Sequence, residues 1–133
     1  MRTKRFSTTS RRDAGTLPPF RRALEVLVVG AVTVVDLGGR IVLGDGSALL
    51  RKTVRELLDD NRMKILINLA DVNYIDSSGI GELVHAYTSV KTRGGELKLL
   101  HLTKKVHDIL QITKLYTVFD VHSDEAAAVR SFQ

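Results

Sequence analysis

Asp76, Ser77 and Ser78 stand together in the stretch Asn73-Tyr74-Ile75-Asp76-Ser77-Ser78-Gly79-Ile80-Gly81, between an apolar run and two glycines. A carboxylate beside two hydroxyls could cap a helix, activate a nucleophile, cradle a phosphate or accept a phosphoryl group. A nucleophile elbow would need glycine two residues before the serine, and Ile75 or Asp76 stands there instead. The four histidines, His85, His101, His107 and His122, supply possible bases, but no spacing singles one out. The chain contains no G-x-x-x-x-G-K-[ST] phosphate loop. Gly44-Asp45-Gly46-Ser47 is a glycine-rich turn ahead of a helix, a weak phosphate signal and more simply a turn. Possible metal ligands are not clustered, and there is no cysteine, which rules out disulfides and thiolate sites. The residues point to no catalytic group, no metal and no cofactor.

Two readings of the serines therefore remain. Ser77 or Ser78, with Ser78 favoured, would serve as N-cap by accepting from an orphan amide of the first turn. The capping box is incomplete, because Gly81 stands three residues after Ser78 and Glu82 comes one place late. Gly79 and Gly81 each cost the first turn roughly 0.5–1 kcal/mol against alanine. A helix start stripped of side chains lets another molecule approach closely, so the same residues read as a contact surface.

The flanking elements must place this surface. Leu24–Val29 and Val32–Leu37 are β-branched runs around Gly30-Ala31, a hairpin signal, and Arg40–Leu43 extends beyond Gly38-Gly39. Leu49, Leu50, Val54, Leu57 and Leu58 form one stripe at helical spacing. Lys64–Leu69 reads as a strand buried on both faces. Ile80, Leu83, Val84, Tyr87 and Val90 predict a helix over about 78–92, stopped by Gly94-Gly95. Glu96–Leu100 predicts a strand, Thr103–Gln111 a helix, Val118–Val121 a last strand and Ser123–Phe132 a terminal helix. The order implies an α/β fold, with a single mixed β-sheet of four to five strands packed with about four helices. The serines then fall at the carboxyl end of a sheet strand, where such folds place function.

Charge divides the chain into two domains of unequal character. Residues 1–22 carry seven basic residues and one acid, together with both prolines, and read as a basic flexible tail. Residues 23–133 carry thirteen basic and fourteen acidic residues, so the folded body gives nucleic acid no electrostatic footing. No apolar run approaches the ~18 residues of a membrane span.

Residues 68–83, N-L-A-D-V-N-Y-I-D-S-S-G-I-G-E-L, resemble the signature segment of the STAS domain in bacterial anti-sigma factor antagonists. G-G-E-L-K-L-L at 94–100 and V-H-D-I-L-Q-I-T-K-L at 106–115 are similar to later segments of that family, and the resemblance covers about residues 24–132. It implies a non-enzymatic cytoplasmic regulator in a partner-switching pathway. Its expected partners are an anti-sigma factor that doubles as a serine kinase and a PP2C-type phosphatase. The serine that the resemblance marks for phosphorylation is Ser77, with Asp76, Ser78, Gly79 and Gly81 around it and Gly39 and Asp45 on a second loop. The family often carries an aspartate where Val42 stands here, and Asp45 follows three residues later. Other roles compatible with the domain are a scaffold or accessory subunit of a stress-sensing or transport complex, or a nucleotide-binding module.

Overall fold

The computed structural model describes residues 4–7, 24–41 and 45–132. One six-stranded mixed sheet organises them, with its strands in chain order from one edge to the other. The strands are β1 (Lys4–Ser7), β2 (Leu24–Val29), β3 (Val32–Ile41), β4 (Lys64–Ile75), β5 (Glu96–Leu100) and β6 (Val121–His122). The helices are α1 (Asp45–Asp59), α2 (Ser77–Thr92), α3 (Lys104–Ile112) and α4 (Glu125–Arg130), with a 3-10 turn at Leu115–Thr117. The mixed sheet and the helix order agree with the expectation from sequence. Within the segment read as a tail, Lys4–Ser7 instead pairs antiparallel with β2. An unpaired β2 would leave a row of exposed amides and carbonyls, and β1 occupies that edge.

β2 and β3 form the predicted hairpin, with Gly30 at φ +61 in its turn. From β3 onward the strands run parallel, and each of α1, α2 and α3 connects one strand to its neighbour. Residues alternate between the two faces, as a strand requires. Val35, Ile65, Ile67, Leu97 and Leu99 point into a core closed by Leu50, Val54 and Leu58 of α1, Leu83, Ala86 and Val90 of α2, and Val106 and Leu110 of α3. Leu27, Val34, Leu66 and Leu100 form a smaller core on the opposite face with Ala128 and Phe132.

Two strands run longer than their apolar patterns suggest. β3 continues through Gly38-Gly39 to Ile41, and β4 continues to Ile75, with register shifts between Asp36 and Gly38 and between Gly39 and Arg40. At the first shift Asn68 stabilises the irregularity. Its Nδ2 donates to Asp36 Oδ1 at 2.9 Å, and its Oδ1 accepts the amide of Ala70 at 3.0 Å. A bulge of this kind bends a strand and re-aims the residues beyond it.

The carboxyl-terminal quarter departs from the sequence reading. The expected strand Val118–Val121 is displaced to Val121–His122. Lys114 takes a left-handed conformation ahead of the 3-10 turn, and Phe119 turns inward to meet Tyr87 edge-on at 5.5 Å. Burying that ring consumes the residues that would have lengthened the strand. α4 is shorter than the predicted 123–132 because Asp124 caps it, its Oδ2 accepting the amide of Ala127 at 2.8 Å.

Candidate functional site

The site lies where β4 ends and α2 begins. Ile75 is buried as the last strand residue, and Asp76 comes next with extended backbone angles. Its carbonyl accepts the first helical hydrogen bond, from the amide of Ile80 at 2.9 Å. Its side-chain Oδ1 accepts the amide of Gly79 at 2.9 Å. Asp76 is therefore the N-cap, and the expectation that Ser78 or Ser77 fills that role is corrected. A carboxylate satisfies the orphan amide as well as a hydroxyl does, and its charge also suits the positive end of the helix.

This assignment moves both serines into the first turn. Neither serine hydroxyl makes a hydrogen bond to another described residue; Ser77 is exposed and Ser78 half-buried. Gly79 is buried, its amide committed to Asp76. Gly81 is exposed, and a Cβ there would meet nothing within 4 Å. The first turn thus presents two hydroxyls without a partner among the described residues, the more exposed of them Ser77, beside the bare Gly81.

The neighbouring strand brings a second element alongside. Gly39, at φ +80, pairs with Val72, and Ile41 ends β3 opposite Ile75. β3 and β4 therefore finish side by side, one residue before the Asp76 cap. Val42 and the rest of 42–44 lie outside the described residues, as does the side chain of Asp45, whose backbone opens α1. On the other side, the start of α3 reaches the same rim. Lys105 Nζ lies 6.0 Å from the ring centroid of Tyr74, which is 38% exposed. The sequence reading passed over both residues. Tyr74 sits inside the signature stretch, but Lys105 is thirty-one positions away and adjoins it only because β4 and β5 pair in parallel.

Arg51 and Glu82 tie α1 to α2 just below the site, with Arg51 Nη2 2.8 Å and Nε 3.0 Å from Glu82 Oε2. The hydrogen bond to Glu82, then its charge, raise the Arg51 pKa above its ordinary value.

One Ser–His–Asp grouping exists among the described residues, and it lies elsewhere. His122 Nε2 is 3.2 Å from Asp120 Oδ2 and 3.5 Å from Ser131 Oγ. A catalytic relay places base and orienting acid on opposite ring nitrogens, and here both neighbours address the same nitrogen. Among the described residues, no three His, Asp or Glu side chains are placed to hold a metal ion. Nor is any helix among them long and apolar enough to cross a membrane.

Comparison with known proteins gives a consistent result. The STAS domain family model matches residues 23–128. The chain is 31% identical over 96 residues to the anti-sigma-B factor antagonist of Bacillus subtilis (strain 168), covering 72% of this chain and 86% of that one. Among solved structures, the Thermotoga maritima protein TM1081 superposes with a TM-score of 0.75 at 25% identity, covering 80% of this chain and 92% of the other. The phosphorylated form of SpoIIAA from Bacillus superposes with a TM-score of 0.64 at 19% identity, covering 81% and 98%, a likeness of fold. With the match to the family model spanning most of the chain, the chain belongs to the STAS domain family, and the Bacillus subtilis relative it matches is an anti-sigma factor antagonist.

Proposed function

We propose that this protein is an anti-sigma factor antagonist of a partner-switching pathway in the cytoplasm, controlled by phosphorylation of Ser77. The observation that carries the reading is the division of labour at the start of α2. Asp76 holds the helix, which leaves the exposed Ser77 hydroxyl available to a kinase without loss of structure. The similarity to the Bacillus subtilis anti-sigma-B factor antagonist supports the same role.

In this reading the unmodified protein binds an anti-sigma factor that is also a serine kinase. Asp76, Ser78, Gly79 and Gly81 form the contact surface, with Gly39 and Asp45 on the adjoining strand end and helix start. A phosphate on Ser77 adds about −1.5 to −2 charges. The helix N-terminus favours that charge, so the fold survives. A partner surface fitted to a small neutral hydroxyl and a bare Gly81 would instead meet a bulky dianion beside the Asp76 carboxylate. Affinity is lost at the interface, and a PP2C-type phosphatase restores it. The protein itself performs no catalytic step.

The test is incubation of the purified chain with the serine kinases of its own organism, then mass spectrometry. Phosphate on Ser77 supports the reading, and phosphate elsewhere or nowhere counts against it. Binding to the same kinase should survive Ser77→Ala and fail in Ser77→Asp. Equal affinity of the two variants would refute the switch.

A further inference from the structure

We propose that the groove between α1 and α2 is a binding site for a small amphiphilic organic anion, an apolar body carrying one carboxylate or phosphate. The inference stands independently of the role of Ser77. The two helices lie side by side and run in the same direction. The Arg51–Glu82 pair joins them at one end, and Arg93 Nη2 donates to the carbonyl of Leu58 at 3.0 Å at the other. Between these ties is a groove of about 390 Å³. That volume falls within the ~300–1,000 Å³ typical of ligand sites. From Glu82 to Arg93 the groove runs along α2 for roughly 16 Å at the rise of a helix.

The lining is sorted by chemistry. Val54, Leu58 and Ala86, nearly buried, close its floor, and His85, Thr88, Ser89 and Thr92 line the α2 wall. Arg51, Arg55 and Arg93 stand along its rim. Their charges are engaged to different degrees. Arg51 is paired to Glu82, the only carboxylate that lines the groove among the described residues, and Arg93 is 3.5 Å from Asp59. Arg55, midway between the two ties, makes no side-chain hydrogen bond or ion pair to another described residue. The groove therefore offers apolar surface with an excess of guanidinium charge. A guanidinium fork matches carboxylate and phosphate alike. A neutral ligand would gain nothing from the Arg55 charge, and a bare inorganic anion would gain nothing from the apolar atoms along the groove. The chain's own N-terminal segment is strongly basic and has the wrong charge for this rim.

The experiment is an amide NMR titration of the full chain with octyl phosphate, octanoate, octanol and inorganic phosphate as separate probes. Saturable shifts confined to residues 51–58 and 82–93 are expected with an anionic amphiphile. The tighter of octyl phosphate and octanoate identifies the headgroup. Octanol and inorganic phosphate should each bind at least about tenfold more weakly. Arg55→Glu should weaken the anionic amphiphile by at least about tenfold, while Lys52→Glu, the same charge change on an exposed position outside the groove, should not. Absence of saturable shifts with both anionic amphiphiles, shifts mapping elsewhere, equal binding of octanol or inorganic phosphate, or an unaffected Arg55→Glu variant would each overturn the proposal.

Discussion

The Asp76 carboxylate accepts the Gly79 amide at 2.9 Å, so the residue before Ser77 starts α2 and Ser77 does not. The stability of the helix start should depend on this contact. Asp76→Ala is expected to lower unfolding free energy by about 1 kcal/mol, within the ~0.5–2 kcal/mol range of lost caps. Ser77→Ala should change it by less than about 0.5 kcal/mol, as exposed substitutions do. Urea unfolding of the two variants measures both. A larger loss from Ser77→Ala than from Asp76→Ala would show that the serine carries the cap.

Ser77→Asp places a fixed negative charge at the first helical position. The macrodipole favours an anion there by about 0.3–1 kcal/mol at low ionic strength. The variant should therefore melt at or slightly above the temperature of the native protein, with an unchanged far-ultraviolet circular dichroism spectrum. A fall in melting temperature would move the effect of phosphorylation from the partner interface to the fold.

Gly81 and Gly95 should respond to alanine with opposite signs. At Gly81 a Cβ meets nothing within 4 Å, so alanine gains helix propensity and should stabilise by about 0.5–1 kcal/mol. At Gly95 the Cβ would collide with the carbonyl oxygen of Met63 and approach Val90 Cγ1 at 2.9 Å. Gly95→Ala should destabilise by about 1–3 kcal/mol, the usual cost of overpacking. If Gly81 belongs to the partner surface, its alanine variant will combine higher stability with weaker binding, which ordinary destabilisation cannot mimic. Thermal melts and partner titrations of the two variants separate these effects.

The sheet, the helix order and the strand-to-helix junction at Asp76 were legible because they rest on period. The stripe Ile80, Leu83 and Val90 is buried as its spacing requires, and Lys64–Leu69 is a central strand flanked by neighbours on both sides. The features that escaped the sequence depend on contacts between distant residues. Asp76 and Ser78 are both good caps by type, and the backbone angles and the Gly79 hydrogen bond at Asp76 separate them. β4 runs past the predicted Leu69 to Ile75, beyond an irregularity where Asn68 bonds to Asp36 and Ala70. Lys105 and Arg51 approach the site only once parallel pairing sets α1, α2 and α3 beside one another.

Lys98 holds the short α4 against the sheet. It is 11% exposed, and its ammonium donates to the Ser131 carbonyl at 3.0 Å and to Ser131 Oγ at 2.9 Å. It also lies 4.9 Å from the centroid of Phe132. Lys98→Met keeps the aliphatic length and removes the donors. It should cost about 1–3 kcal/mol, the range for hydrogen bonds to a charged group. Hydrogen exchange should accelerate first at residues 125–131, and uniform acceleration across the sheet would mean that α4 is not an independently held unit.

Acid should loosen the same corner. Burial pushes the Asp120 carboxyl up, but the hydrogen bonds and charges of His122 and Lys98 outweigh it and hold the carboxyl below its ordinary value. A carboxyl depressed in the folded state stabilises above its unfolded pKa, and that contribution disappears as pH falls through the folded pKa. Asp120 is 57% exposed, so solvent screening keeps the contribution small, under about 1 kcal/mol. Asp120→Asn should therefore melt slightly below the native protein at neutral pH. The gap should close as pH drops below the usual carboxylate range, because the native residue then also carries no charge. Melting temperatures of the two proteins measured from neutral to acidic pH provide the check, and a gap that stays constant would mean that Asp120 acts through packing and not through its charge.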